Sequence, residues 1–169
     1  TDVAAPQLEA DAVVVPVYGQ SPLEGVTAEV DRATNGAITR LRDSQEVSGK
    51  PLELTSLLAP VGIKALQVLV VGLGEQAKLD RGGVFRAASA AARQLSGKPR
   101  RRVGFYLGKG WNADWVENAI CGAMTGCQGQ DLYRAEKKRH PITEILWQGG
   151  DEATLHAGRV IGESIALTR

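Results

Sequence analysis

The sequence predicts an α/β domain in which a mixed β-sheet lies between two layers of helices, a three-layer arrangement. Residues 66–95, LQVLVVGLGEQAKLDRGGVFRAASAAARQL, join an apolar strand, a glycine turn and an alanine-rich helix, which is the building unit of α/β folds. Residues 10–17 are a β-branched run typical of a strand buried on both faces. Residues 52–59 and 66–73 are strands with a short connection, which predicts an antiparallel hairpin and therefore a mixed sheet.

The elements between these strands follow from helical spacing and from helix boundary signals. Residues 26–41 carry an apolar stripe, and Asn35 with Gly36 divides it into a helix and a further turn. Asp80 is placed to cap the next helix, and Phe85→Ala in that helix should cost about 3–5 kcal/mol if the ring is fully buried. The stripe that faces the sheet is Val84, Ala88, Ala91 and Leu95.

The last third of the chain repeats the strand and helix alternation. Residues 102–107 and 142–147 are predicted strands, and Asp114 with Glu117 resembles a capping box at the start of the helix between them. That helix has one face made of Trp115, Ala119, Ala123 and Cys127. A final helix begins near residue 152. Its two glycines, Gly158 and Gly162, predict close contact with another element, which could lie in a part of the protein outside residues 1–169.

Length and composition favour one globular domain that covers residues 1–169. The 43% hydrophobic content is enough for an aliphatic core, and no apolar run approaches the roughly 20 residues that span a bilayer. The N-terminus carries no secretory signal pattern, so we expect neither export nor membrane insertion. The chain begins at Thr1 and stops at Arg169 inside a helical pattern, which predicts that both ends are cuts.

The cysteines and histidines do not form a metal-binding pattern. Cys121 and Cys127 stand six apart on a predicted helix, a spacing that favours reduced structural thiols over a ligand pair. His140 and His156 lie far apart, without a carboxylate or thiol at ligand spacing, and are interpreted as surface residues.

Charge is distributed unevenly along the chain. Residues 1–50 have a net charge of −4, whereas the remainder has +5, concentrated in KPRRR at 98–102 and RAEKKRH at 134–140. Each cluster precedes a predicted strand, where cationic side chains commonly solvate a sheet edge. A phosphate-binding face would require the two clusters to converge in space.

The turn after residue 71 also matches a cofactor pattern. Gly72, Gly74 and Ala77 follow a strand as G-x-G-x-x-A, the arrangement that lets a pyrophosphate approach a helix N-terminus. The helix, however, begins near Asp80, and residues 92–100 contain no acid to bind a ribose. We interpret the motif as a strand-end turn.

Several segments together resemble the N-terminal domain of leucyl (cytosol) aminopeptidases. They are DAVVVPV at 11–17, the G-K-x-x-E hairpin at 46–74, the V-G-L-G turn with its R-x-A-A-x-A-A-R-type helix, and AGRVIGESIALTR at 157–169. The resemblance covers essentially the whole chain. It implies that the chain has a macro-domain-like fold and lacks the catalytic domain of the family.

The resemblance implies a cytoplasmic parent enzyme that removes N-terminal residues with two divalent metals, Zn or Mn, and assembles as a homo-hexamer. This chain would pack on its own C-terminal catalytic domain and shape oligomer contacts. It would hold no catalytic, cofactor-binding or metal-binding residue. Some bacterial relatives also bind DNA, which makes weak DNA binding through the basic clusters an expectation to test.

One segment of the chain partly resembles the metal-binding motif of that family. Gly108, Lys109, Gly110 and Asp114 match the spacing of G-K-G-x-T-F-D-S-G-G, which supplies a lysine and an aspartate to the two-metal centre. Residues 111–113 replace the middle of the motif, and Cys121 stands where the catalytic lysine would fall. We interpret Lys109 as solvated and Asp114 as a helix cap.

The alternative function is a separate nucleotide-binding or ADP-ribose-binding module. Residues 10–38 look like the opening of a macro domain, in which an asparagine follows the strand and a glycine run wraps the diphosphate. Val15 occupies the asparagine position, and Glu24 places an anionic side chain where the diphosphate should lie. These departures argue against the module, and calorimetry with ADP-ribose would discriminate the two functions.

Overall fold

The structure is a computed structural model that describes residues 1–128 and 139–167, with side chains described through residue 165. Within these residues, five strands form one mixed sheet of order β2-β3-β1-β4-β5. β1, β3, β4 and β5 are parallel, and β2 pairs antiparallel with β3, as the predicted hairpin requires. The strands are β1 (Ala12–Val17), β2 (Leu54–Leu58), β3 (Gln67–Gly72), β4 (Arg102–Phe105) and β5 (Glu144–Trp147).

Helices cover both faces of this sheet, which confirms the three-layer α/β prediction. They are α1 (Gly25–Ala33), α2 (Ala37–Asp43), α3 (Arg81–Leu95), α4 (Ala113–Cys127) and α5 (Glu152–Leu167), with short 3₁₀ turns at Ala5–Gln7 and Gln76–Lys78. The predicted break at Asn35 and Gly36 is also confirmed, and the segment after it, predicted as a turn, is the seven-residue helix α2. Asn35 and Gly36 both have positive φ there, and the Asp31 carboxylate accepts hydrogen bonds from the amides of Ile38 and Thr39.

Two apolar cores lie on opposite sides of the sheet. Alternate residues of β1 serve each of them: Val14 packs with α3 and α4, whereas Val13 and Val15 pack with α1 and α2. Ala12 and all four valines of β1 are therefore buried, because a strand presents successive residues to opposite faces. In the described helices, no segment is long and apolar enough to cross a membrane.

Glycines set the close packing of α3, α4 and α5. A Cβ on Gly122 or Gly126 of α4 would overlap the backbone carbonyl oxygen of Phe85 or of Ser89 in α3. On α5, a Cβ at Gly162 would lie 2.7 Å from the sulfur of Met124. The close contact predicted for the α5 glycines is confirmed, but its partner is α4 of this chain.

Two local predictions need correction. The N-cap of α4 is Asn112, whose side-chain oxygen accepts from the Trp115 amide at 2.9 Å, whereas Asp114 lies inside the first turn. The helix begins two residues earlier than the capping-box pattern indicated. Phe85 is only half-buried, so the condition for a loss of about 3–5 kcal/mol on truncation is not met. The cap at Asp80 is confirmed, with the Gly83 amide donating to its carboxylate at 2.6 Å.

Candidate functional site at the carboxyl edge of the sheet

The carboxyl ends of the parallel strands are the place where α/β sheets bind ligands. All three sequence patterns considered above reach this edge of the sheet. Gly72 ends β3, Gly108 follows β4, and residues 18–24 follow β1. The loop at 46–53, which leads into β2, lies at the same edge and determines what the other loops can contact.

A carboxylate of the chain occupies the amide-rich turn of this loop. Glu53 accepts hydrogen bonds from the backbone amides of Ser48 at 2.8 Å and Gly49 at 2.6 Å, and from the Ser48 hydroxyl at 3.1 Å. Consecutive amides that point in one direction form an anion-binding concavity. Here the anion is the side chain of Glu53, so the G-K-x-x-E segment is an internal clamp.

The glycines of the G-x-G-x-x-A motif hold this clamped loop against the sheet. A Cβ at Gly72 would overlap the carbonyl oxygen of Lys50, and one at Gly74 would lie 2.7 Å from the ring of Pro51. The Gly74 amide donates to the Gly49 carbonyl at 2.9 Å. The space that a pyrophosphate would need is therefore filled by residues 49–51.

The helix after this motif starts where the sequence indicated. α3 begins at Arg81, after a separate 3₁₀ turn, so its N-terminus does not open directly on the glycines. The amide of Leu73 donates to the carbonyl of Val17 at 2.9 Å. The turn therefore links β3 to β1.

The macro-like segment is also built into the fold. Val15 lies in the core shared with α1 and α2. Glu24 is exposed at the start of α1, and its side chain makes no capping hydrogen bond. Val15, a core residue, thus stands where an ADP-ribose site would have an asparagine. Glu24, an exposed carboxylate, stands where the site would have a glycine run.

Lys109 and Asp114 do not converge on a common point. Lys109 is exposed in the turn before α4, and Asp114 pairs with Arg81 at 3.5 Å on the surface. Among the described parts of the chain, no group of three or more His, Cys, Asp or Glu residues is arranged to hold a metal ion. The described residues therefore do not fit a two-metal centre.

Tyr18, Trp111 and Trp115 form an aromatic cluster at this edge, which no pattern in the sequence predicted. The indole N–H of Trp111 donates to the Tyr18 hydroxyl at 3.3 Å, and Trp111 meets Trp115 edge to face at 6.1 Å. Burial raises the pKa of Tyr18, and the hydrogen bond from Trp111 partly offsets this shift. The cluster joins the loop after β1 to the start of α4 across the end of the sheet.

Cys121 and Cys127 are buried, and burial raises the pKa of the Cys127 thiol to about 11. His156 is exposed, and His140 is half-buried.

The first basic cluster is largely engaged inside the domain. Arg100 donates to the Asp11 carbonyl at 3.2 Å and to the side chain of Gln67, and Arg102 pairs with Glu144 at 2.6 Å. Arg100 and Arg102 thus serve to tie neighbouring strands together. Lys98 and Arg101 remain exposed at the amino edge of the sheet.

Part of the second basic cluster lies near the first basic cluster, at the amino edge of the sheet. Residues 134–138 of that cluster lie outside the described residues. Arg139 donates to the carbonyl of Arg93 at 2.8 Å, and the His140 amide donates to the carbonyl of Ser96 at 2.8 Å. The end of α3 thus brings Arg139 and His140 beside residues 98–102.

Comparison with known proteins decides the relationship of this chain. A family profile described as "Cytosol aminopeptidase family, N-terminal domain" matches residues 14–137. The chain belongs to the cytosol aminopeptidase family. The match covers the clamped loop, the glycine turn, α3 and α4, so the features of the carboxyl edge fall within the N-terminal domain of this family.

Relatives of this cytosol aminopeptidase domain are much longer than the chain. A protein of Rhodopirellula baltica described as a probable cytosol aminopeptidase is 35% identical over 75% of this chain, and the matched part is 25% of that relative. The structure of a tomato leucine aminopeptidase mutant aligns with a TM-score of 0.79 and 20% identity, covering 100% of this chain and 36% of that one.

The bottromycin maturation enzyme BotP in complex with Mn aligns with a TM-score of 0.70 and 21% identity, covering 95% of this chain and 31% of that one. Both structures confirm the fold of this cytosol aminopeptidase domain.

Proposed function

We propose that this chain is a single, non-catalytic domain, residues 1–169, that packs on the C-terminal catalytic domain of a metal-dependent aminopeptidase. The observation that carries the proposal is the family match over residues 14–137 within a chain that spans 25% of the Rhodopirellula relative. The parent enzyme would remove N-terminal residues from peptides in the cytoplasm. In this role the domain supplies no catalytic, cofactor-binding or metal-binding residue.

The internal engagement of the carboxyl edge supports this proposal. The Glu53 carboxylate already binds the amides of Ser48 and Gly49, and the loop at 49–51 fills the space beside Gly72 and Gly74. Loops that bind one another at this edge suit a domain whose role is packing and assembly. The metals, Zn or Mn, would belong to the C-terminal part of the parent enzyme. A neighbour of the same fold is described in complex with Mn.

The 169-residue chain supplied with Mn or Zn should hydrolyse no leucyl amide substrate. The same protein extended through its downstream reading frame should hydrolyse it, because the metal centre would lie in the added part. Release of the amide leaving group, measured with and without chelator, checks both proteins. Metal-dependent turnover by the 169-residue chain that Asp114→Ala abolishes would overturn the proposal.

We further propose that the extended enzyme is a homo-hexamer and the isolated domain a monomer. Light scattering after size-exclusion chromatography measures both masses. This proposal places the main assembly contacts in the catalytic part of the parent enzyme. A stable hexamer formed by residues 1–169 alone would contradict it.

A second candidate function is weak binding to nucleic acid. The supporting observation is the convergence of Arg139 and His140 on the end of α3, beside the exposed Lys98 and Arg101. Cations grouped at one edge bind phosphates without sequence preference and with a steep dependence on salt.

Duplex DNA should therefore bind only marginally, with affinity that falls as salt rises and with no preferred sequence. Fluorescence anisotropy with the double variant Lys98→Ser and Arg101→Ser should show further weakening. Lys109→Ser, which removes an exposed cation at the opposite edge, serves as the control. Tight, salt-insensitive binding to one sequence would show that this edge has another function.

A further inference from the structure

The outer edge of β5 presents unpaired backbone groups. β5 is the last strand of the sheet and pairs only with β4 among the described strands. The amides of Glu144 and Gln148 donate to carbonyls in or next to β4, at 2.8 Å and 2.9 Å. Alternate residues of a strand direct their backbone groups to opposite sides. The amides and carbonyls of Ile145 and Trp147 therefore point away from β4.

A groove of about 640 Å³ lies beside this edge. Its apolar lining comes from α4, α5 and β5, and includes Ile120, Met124, Leu155, Ile145 and Trp147. Met124, Leu155 and Ile145 are only half-buried, although they pack against the core that α3 and α4 share. Unpaired backbone groups next to incompletely covered apolar side chains are the features of a site for an added β-strand.

The first residue of the chain already makes one hydrogen bond of such a strand. The Thr1 amino group donates to the carbonyl of Trp147, and Thr1 itself lines the groove. A residue before Thr1 would have its Cα about 3.8 Å from that of Thr1 and would lie beside the same strand edge. The nitrogen of Thr1 would then be a backbone amide, which can donate to the same carbonyl.

This hydrogen bond also sets the register of an added strand. In the parallel pair of β1 and β4, the carbonyl of Val14 accepts from the residue that follows its partner. By the same geometry, the partner of Trp147 would be the residue immediately before Thr1. The residue two positions earlier would pair with Ile145. A segment that passes Ile145 and then Trp147 before it reaches Thr1 is parallel to β5.

The register predicts which of the preceding side chains fill the groove. Paired residues of neighbouring strands present their side chains to the same face of a sheet. Ile145 and Trp147 face the core that α3 and α4 share. The first and third residues before Thr1 would therefore face the groove and should be apolar. Four residues at about 3.3 Å each span the ~13 Å length of β5.

The position of Thr1 disfavours a second copy of the chain as the occupant. The carbonyl of Trp147 is already bound by the Thr1 amino group, which a second copy would have to displace. A stable complex of separate proteins also takes about 20–30 residues a side, and β5 offers an edge of four residues. A segment joined directly to Thr1 needs less area, because its covalent connection gives it a high effective concentration.

We propose that the polypeptide preceding Thr1 in the parent protein adds a strand to the sheet, parallel to β5, and that its apolar side chains fill the groove. The edge of β5 is thus an interaction surface for the protein's own N-terminal segment. The added strand involves neither the metal centre nor the downstream domain of the parent enzyme.

The reading frame upstream of Thr1 provides the first test. It should continue for at least about four residues, the length that pairs with β5, and the first and third residues before Thr1 should be apolar. A start codon immediately before Thr1 would overturn the proposal, as would charged residues at both of these positions.

Hydrogen exchange tests the added strand directly. Two forms of the protein are compared, one that begins at the natural start codon and one that begins at Thr1, both with the natural C-terminus. The amides of Ile145 and Trp147 should exchange at least about tenfold more slowly in the longer form, because carbonyls of the added strand accept their hydrogen bonds.

The amide of Ser56 at the other lateral edge of the sheet is the matched control. The Ala59 amide donates to the carbonyl of Leu66, so the Ser56 amide, three residues earlier in β2, points away from β3. Its exchange rate should differ by less than about threefold between the two forms.

Fast exchange of the Ile145 and Trp147 amides in both forms would overturn the proposal. Equal protection in both forms would place another part of the protein in the groove and would also overturn it. Protection in the form that begins at Thr1, rising with protein concentration, would identify a second copy as the occupant and count equally against the proposed strand.

Discussion

Replacing Gly122 with alanine should lower the free energy of unfolding by about 3 kcal/mol, at the upper end of the usual cost of overpacking. The added methyl group would overlap the backbone carbonyl oxygen of Phe85, and a backbone atom cannot move aside as a flexible side chain can. α3 and α4 would have to separate along their whole contact. Denaturant unfolding and thermal melting measure the loss, which corresponds to a decrease in Tm of about 8 °C for a domain of this size.

The matched control is Gly82→Ala in the first turn of α3. The atom that its Cβ would meet at 2.9 Å is the end of the flexible Arg86 side chain. Alanine is also the better helix former by about 1 kcal/mol, so this variant should be neutral or slightly stabilised. If both glycine variants had the same stability, helix propensity would dominate, and the close α3–α4 contact would not be limiting.

Replacing Glu53 with alanine should destabilise the domain by about 2–3 kcal/mol, because the variant leaves the amides of Ser48 and Gly49 without their charged acceptor. Gly49 is buried, so water replaces that acceptor poorly. The loop at 48–53 should then detach from Gly72 and Gly74. Hydrogen exchange of the amides at 48, 49 and 74 should accelerate together, since the Gly74 amide donates to the Gly49 carbonyl.

Glu46→Ala is the control for charge, since it removes the same kind of side chain from an exposed position of the same loop. It should change stability by less than about 0.5 kcal/mol. Glu53→Gln should fall between the two variants, because an amide oxygen can still accept one of the hydrogen bonds. A Glu53→Ala variant as stable as Glu46→Ala would show that the clamp contributes nothing measurable.

Local patterns were sufficient for most of the fold. The β-branched run at 12–17 became a strand buried on both faces, and Asn35 with Gly36 broke the first helical segment because both take positive φ. The short connection at 60–65 could join its strands only as an antiparallel hairpin. Each of these outcomes depends on neighbours in sequence, which is why the pattern alone predicted it.

The errors occurred where two positions were locally equivalent. Asn112 and Asp114 are both good N-cap residues, and the path of the chain out of β4 placed the backbone of Asn112 in the extended conformation that a cap needs. The spacing at Phe85 identified a helical position but not the depth at which the ring lies. A periodic stripe gives the direction of a side chain, and the neighbouring element determines its burial.

The sequence by itself determined the order of strands and helices along the chain and their approximate bounds, because hydrophobic periodicity and turn residues act over a few positions. The family was indicated by the resemblance of several segments to known motifs. The tertiary structure decided which partner each glycine meets: α3 for Gly122 and Gly126, α4 for Gly158 and Gly162, and the loop at 49–51 for Gly72 and Gly74. It also decided that Glu53 fills the amide turn of its own loop. These contacts join residues far apart in the chain, and close packing in three dimensions, which no local pattern encodes, selects them.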